Sequence, residues 1–242
     1  MARKTKAQAL ETRHQILDAA VILFSQQGVS ATSLADIASA ASVTRGAIYW
    51  HFKNKADVLH EIWLRCDAGL DNVELEYQTK YPGDPLSVLR AMLVYIFDAT
   101  ANDPQRRALM EIIFHKCEFV GEMAALKNIQ QSLLLECYDK IEDVLRQCIE
   151  AEQLPGSLNT RQAALIMRGY VNGMMESWLF TPESFDLAGD APALVDAFID
   201  MLRLSPTLTA RGWRSRLFSK SRCTIASADS TVSTGSWFSS SN

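Results

Sequence analysis

Between residues 33 and 55 the side chains able to do chemistry are hydrogen-bond donors and cations rather than nucleophiles. Thr44, Arg45, Tyr49, His51 and Lys55 fall close together, with Ser33 eleven positions ahead of Thr44 and with Gly46 and Ala47 among them as the smallest residues available. A slim helix start carrying one cation and a few flat or short donors can enter the major groove of a duplex, read base edges and touch phosphates on either side. The same residues would equally suit an ordinary solvated helix face. Catalytic constellations are absent from the pattern. The chain has only four histidines; His51 and His60 fall in this stretch or just after it, and His115 has no evident acidic or nucleophilic partner. The pair His115 and Cys117 lacks a second ligand pair nearby in sequence, so no metal and no cofactor is expected.

Two short helices must position these groups. Ser33 precedes an apolar-periodic run, with Asp36 three residues on, which is the pattern of a capping box. Leu34, Ile37 and Ala38 supply one buried face, Ser39 to Val43 a turn, and Thr44 a second N-cap for a helix running to Tyr49 or Trp50. Val43, Ile48 and Phe52 dock that second helix on the first. Upstream, Ile16, Ala20, Leu23 and Phe24 recur at helical spacing and predict a long helix ending near Gly28 that covers the other two. Lys53-Asn54-Lys55 opens the following helix, whose positively polarised start and Lys55 both favour a phosphate.

Here the residues carry a resemblance. TSLADIA followed by VTRGAIYWHFKNKADVL resembles the helix-turn-helix of the TetR family of transcriptional repressors. The opening MARKTKAQALETRHQILDAA, the segment FHKCEFVGEMA and residues 178–206 resemble the AcrR-type repressors of multidrug efflux pumps, so the likeness covers about residues 1–208. It implies an all-α fold with a three-helix DNA-binding domain at residues 1–55, led by a basic arm, then a larger helical effector-binding and dimerisation domain at 56–208. One position departs: Ser42 stands in the turn where the family commonly has Gly. If that backbone is left-handed, Ser costs on the order of 1 kcal/mol relative to Gly.

Charge supports a division of labour. Residues 1–60 hold seven Lys and Arg against four Asp and Glu, whereas residues 61–210 hold twelve against twenty-three. A cationic head on an anionic body orients the head toward a polyanion. In the 242-residue chain, 48% hydrophobic and 21% charged residues mark an ordinary soluble protein. No apolar run approaches about 18 residues, so no membrane partner is expected. Five scattered cysteines without a CxxC fit a reducing cytoplasm.

From Lys55 onward the pattern stays helical, with Pro and Gly breaks predicting helices near 55–80, 85–101, 104–118, 122–152, 159–180 and 187–204. Stripes at one-turn spacing mark a candidate ligand wall: Trp63 with Asp67 (and Cys66 beside it), Leu93 with Ile96, Met110 with Phe114, then Gln130, Leu134 and Cys137, then Val171, Met175 and Trp178. Most such stripes are ordinary core. The polar minority, Asp67, Gln130, Asn172 and Arg168, set among Met and aromatic residues, describes instead a pocket for amphipathic molecules. The resemblance puts Trp63, Asp67, Gln130, Cys137 and Val171 near a drug site, and the Asp67 carboxylate predicts a preference for cationic aromatic compounds such as dyes and biguanide-like drugs.

One recognition helix covers few base pairs, so useful affinity calls for two copies about 34 Å apart. The resemblance implies a homodimer through the last two helices, with Leu165, Val171, Met174, Trp178, Val195, Phe198 and Leu202 as interface candidates; periodicity alone describes intramolecular core equally well. The helix carrying Trp63 and Asp67 starts directly after the recognition helix, so a ligand that tilts it would move the head. The expected function is a repressor released from a palindromic operator by amphipathic or cationic drugs; the alternative is a regulator or activator of another target set without drug sensing. Residues 209–242 are Ser-rich, net basic and unlike the family, and are expected to be a disordered or non-native tail.

Overall fold

The computed structural model describes residues 6–118 and 121–208; the side chains of residues 66–68, 122, 125, 126, 128–130, 132 and 133 lie outside that description. Hence Arg3 and Lys4 of the basic arm, the 209–242 tail and the side chains of Cys66, Asp67 and Gln130 fall outside the described residues, while Lys6 opens the first helix. Among those described there is no strand, and nine α-helices follow in order: α1 (Lys6–Gln27), α2 (Leu34–Ala40), α3 (Arg45–His51), α4 (Lys55–Lys80), α5 (Pro85–Asn102), α6 (Pro104–His115), α7 (Ala124–Glu150), α8 (Thr160–Phe180) and α9 (Leu187–Leu204). The expected all-α architecture is what the chain adopts.

The starts of α2 to α6, α8 and α9 are fixed by side chains that accept from otherwise orphaned amides. Ser33 and Asp36 form the reciprocal capping box of α2, and the Thr44 hydroxyl accepts from the Ala47 amide at 3.1 Å. Asn54 caps α4, and Asp84 and Asp103 cap α5 and α6, each just ahead of a Pro in the first turn. Two ends differ from expectation. Helix α6 stops at His115 rather than 118, because the Lys116 carbonyl accepts from the Val29 amide at 3.1 Å instead of continuing a helical ladder. Helix α7 stops at Glu150 because Glu152 turns left-handed, with φ 58°.

The head is built on α1. Ile16, Leu17, Ala20 and Phe24 of that helix are buried with Leu34, Ile37 and Ala38 of α2, Ile48 of α3, and Val58, Leu59 and Ile62 of α4. In the body, α5 runs against α9, where Arg90 makes a two-pronged contact with Asp196 at 2.6 and 2.8 Å. Helices α8 and α9 pack on each other within the protomer: Tyr170 stacks on Phe198 at 5.2 Å and donates to the Leu194 carbonyl at 3.0 Å. Glu142 of α7, buried, accepts from Arg161 of α8 at 2.8 Å and clamps that pair.

The turn between α2 and α3 resolves the question of Ser42. The Val43 amide donates to the Ala38 carbonyl at 2.9 Å and the Ser42 amide to the Ser39 carbonyl at 3.1 Å, the two bonds of a Schellman cap. That cap needs a left-handed residue at its centre, and Ser42 supplies it with φ 54°. Exchanging Ser42→Gly is therefore expected to raise unfolding stability by about 1 kcal/mol. A urea-denaturation midpoint that stays put or falls would mean the turn carries no such strain.

Candidate functional site

Seven residues form α3, and one of them, Ile48, is buried. Ile48 falls between α1 and α2 in the head core, while Phe52, also buried, ends the helix with its amide on the Ile48 carbonyl at 2.8 Å. The Arg13 guanidinium lies 5.5 Å from the Phe52 ring centroid and its other contact is Glu61, so α1 and α4 close over the end of α3. Everything on the opposite side faces solvent. Thr44, Arg45 and Gly46 are exposed, Tyr49 is 58% exposed, and Ala47 and His51 are half-buried. A Cβ on Gly46 would meet only the Thr44 hydroxyl, at 3.9 Å, so the first turn is open to close approach.

Two residues on this face escaped the sequence reading. Trp50 is 73% exposed, the most open large aromatic of the helix, with its ring edge-on to His51 at 4.5 Å. The signal was available: with Ile48 and Phe52 inward, position 50 must point outward. Lys53 likewise stands exposed. Lys55 was expected to meet phosphate, but its ammonium donates to the Val29 carbonyl at 2.8 Å and the Ser30 carbonyl at 3.3 Å, holding the loop between α1 and α2. Ser33 is similarly engaged: its hydroxyl accepts from the Asp36 amide at 3.1 Å and donates to the Asp36 carboxylate at 2.7 Å. Those bonds from the Ser33 hydroxyl and amide hold the Asp36 carboxyl below its ordinary pKa.

The candidate ligand wall is drawn from five helices. Leu93 and Ile96 of α5, Met110 and Phe114 of α6, and Val171, Met175 and Trp178 of α8 share one apolar cluster, Ile96 and Phe114 only half-buried at its edge. Met175 is polar-tagged, its sulfur accepting from the Thr100 hydroxyl at 3.3 Å. Trp63, Leu134 and Cys137 are half-buried outside that cluster, and Arg168 reaches Cys137 with Nη1 to Sγ at 3.5 Å. Burial pushes the Cys117 and Cys148 thiols up to about 11, so both stay protonated near neutrality. Among the described residues no three His, Cys, Asp or Glu stand close enough to hold a metal, and no helix is long and apolar enough to cross a membrane.

The interface candidates divide sharply. Leu165 is exposed and Met174 half-buried, but Val171, Trp178, Val195, Phe198 and Leu202 are buried within the protomer. Trp178 is covered by Arg107, whose guanidinium lies 4.8 Å from the ring. The expectation for those five is corrected: the apolar stripe of α9 faces α5, and its amphipathic period identifies a buried face without saying what buries it. What α8 and α9 present to solvent is different: Leu165, Gly169, Gly173 and Phe180 on one helix and Pro192, Ala193, Ala197 and Leu204 on the other are exposed, together with Glu176, Asp190, Asp196, Asp200 and Arg203. Phe180 and Leu204 are 80% and 78% exposed.

Residues 16–62 match the description of bacterial regulatory proteins of the tetR family, and residues 84–204 that of the C-terminal region of MAATS-type transcriptional repressors. The chain belongs to the TetR family. Within it the chain is 59% identical over 208 residues to the HTH-type transcriptional regulator AcrR of Shigella flexneri, covering 86% of this chain and 97% of the relative. It is 42% identical to the regulator TtgR of Pseudomonas putida over 86% of this chain and 99% of that one. Among solved structures it is similar to NalD, the secondary repressor of the MexAB-OprM multidrug efflux pump in Pseudomonas aeruginosa (TM-score 0.71, 28% identity, 81% of this chain and 98% of that one). It is also similar to SmeT in its complex with triclosan (TM-score 0.70, 31% identity, 78% of this chain and 90% of that one). This TetR-family chain is thus an AcrR-type transcriptional regulator, not an enzyme.

The geometry of Lys55 separates a structural tie from a phosphate contact. Lys55→Met removes two charge-assisted hydrogen bonds to the α1–α2 loop and is expected to lower unfolding stability by about 1 to 2 kcal/mol. Unchanged denaturation with a flatter salt dependence of DNA binding would assign the ammonium to phosphate instead.

Proposed function

We propose that the chain is a homodimeric repressor that holds a palindromic operator through two copies of α3 and lets go when an amphipathic or cationic compound enters the helical body, thereby controlling a multidrug efflux pump. The observation that carries the reading is the outer face of α3: Thr44, Arg45, Gly46, Tyr49 and Trp50 are exposed on a helix whose buried residue is Ile48, with Phe52 buried at its exit. Guanidinium, phenol, indole and hydroxyl groups on an unobstructed helix start suit major-groove edges and flanking phosphates. The 59% identity to AcrR, and the pump named with NalD, support assigning an efflux pump as the regulated target. The triclosan bound to SmeT supports a body that admits an apolar aromatic compound.

Dimerisation follows from the solvent side of α8 and α9. Gly169 and Gly173 lie one turn apart with open space where a Cβ would stand, so a partner helix can approach closely, and Phe180 and Leu204 offer exposed apolar side chains at the ends of α8 and α9. Release uses the connection of head to body. Arg65 of α4 pairs with Asp18 of α1 at 2.7 Å and Arg13 of α1 pairs with Glu61 of α4, so the head rides on the first half of α4. A compound that favours the spread state of the dimer weakens operator binding by its differential affinity, about 1 to 3 kcal/mol.

Two outcomes test this. The double change Arg45→Ala and Tyr49→Ala is expected to weaken operator binding by at least about tenfold without altering the thermal midpoint, both residues being exposed. Footprints as strong as the parent's would move the reading surface elsewhere. A Cβ at Gly173 has nothing within 4 Å in the protomer, and Gly173→Leu is expected to yield a folded monomer with weakened operator affinity. A full dimer population in sedimentation would put the interface on another face.

A further inference from the structure

Three successive residues at the end of α6 meet three different parts of the molecule. Phe114, half-buried, packs against the apolar cluster of the body. His115 is exposed, with its ring 6.0 Å from that of Phe180 at the end of α8. Lys116 enters the head: its carbonyl accepts from the Val29 amide at 3.1 Å, and its ammonium donates to the Ser25 carbonyl.

Val29 is therefore held from both directions. Its amide is taken by α6, its carbonyl by Lys55 at the start of α4, and its side chain is fully buried in the head core. The loop it belongs to sets the start of α2, since the Thr32 hydroxyl donates to the Gly28 carbonyl at 2.8 Å and Gln27 donates to Thr32 at 3.1 Å. Any movement of Lys116 must displace this loop or break its bonds.

Helix α6 is arranged to produce such a movement. Near its start Arg107 braces on the Trp178 ring of α8 at 4.8 Å. Lys116 lies nine residues further on, about 13 Å along the axis, so a tilt of about 5° about that brace shifts it by about 1 Å. Hydrogen-bond geometry tolerates a few tenths of an ångström, so a shift of that size either drags Val29 along or severs the link. Phe114 is only two residues from Lys116, and no long chain of contacts is needed between wall and head.

We infer that Lys116 is a positioning residue whose ammonium, on the Ser25 carbonyl, carries displacement of the α6 wall at Met110 and Phe114 into the DNA-reading head, beside its carbonyl's bond to Val29 and in parallel with the connection through α4. This rests on the proposed effector-controlled DNA binding, and it adds a second lever to it. The Lys116 carbonyl and the Lys55 ammonium hold the same residue, Val29, one by its amide and the other by its carbonyl, so the two levers act together rather than independently.

The test uses the full-length protein with Lys116→Met, which removes the ammonium's bond to Ser25 and leaves the backbone bond to Val29, and Lys116→Arg, which retains a side-chain donor. With ethidium as the probe, the parent is expected to lose operator affinity by at least about fivefold at saturation. Lys116→Met is expected to bind ethidium within about twofold of the parent by calorimetry, yet to lose at most about half as many fold in operator affinity, with Lys116→Arg restoring the response. A Lys116→Met response equal to the parent's overturns the inference. A ligand-free cycle keeps it separate from drug sensing. Phe114→Leu is expected to change operator affinity in the parent by a factor that largely disappears in the Lys116→Met background. Equal factors in the two backgrounds, unity included, overturn the relay even where ethidium releases the parent. A coupled cycle in a parent that ignores ethidium leaves the relay standing and removes the drug reading.

Discussion

A helix of seven residues cannot hold itself together in water, and α3 must do so while leaving most of its surface unpacked. Isolated helices shorter than about 12 to 15 residues are marginal, because nucleation fixes several residues before one bond is gained. The chain meets that constraint from three points: the Thr44 hydroxyl on the Ala47 amide, Ile48 buried under α1 and α2, and Phe52 buried at the exit. The Schellman turn before it aims the helix, which explains why a left-handed Ser42 persists. Because these supports lie underneath or at the ends, Arg45, Tyr49 and Trp50 can vary in chemistry with little effect on folding. That separation between what holds the helix and what it displays lets one scaffold serve as a reader.

Much of this was legible in the residues. Ser33, Thr44, Asp84 and Asp103 are capping residues by type and position, and capping is a local interaction, so each helix start could be read without knowing the fold. Helix ends were harder. Lys116 stops α6 because a carbonyl is claimed by Val29, eighty-seven positions away in the chain, and no local pattern encodes that. Lys55 shows the same limit: a lysine after the reading helix looks like a phosphate ligand, but its ammonium is taken by two carbonyls of a distant loop.

The candidate interface illustrates a second limit, one of principle. Val195, Phe198 and Leu202 repeat at helical spacing and so had to be buried, yet period alone does not distinguish α5 of the same chain from a second copy. The face left open on α8 was harder to notice because it is made of small residues. Gly169 and Gly173 contribute little to any hydrophobic count, and their value lies in close approach. Trp50 was missed for the opposite reason, a large aromatic being read as the end of a helix when its neighbours Ile48 and Phe52 already assigned it to solvent.

The placement of charge and of ties has a common consequence for how this molecule can respond. Head and body share one continuous apolar core, in which Ile16, Val21 and Phe24 of α1 belong with Leu109 and Ile112 of α6, and polar ties flank it: Arg65 to Asp18, Arg13 to Glu61, Lys55 to Val29 and Ser30, and Lys116 to Ser25 and Val29. That shared apolar core yields to displacement only by opening voids and losing contacts. Hydrogen bonds and ion pairs between half-exposed groups can be exchanged for water at a modest cost, about 1 kcal/mol each. A push inside the body thus either moves the head as a rigid unit through the shared core or releases some of the flanking ties. Both outcomes change where α3 sits while leaving α3 itself intact, and a change in position, not in the reading surface, is what two copies of a short helix on one duplex are most sensitive to.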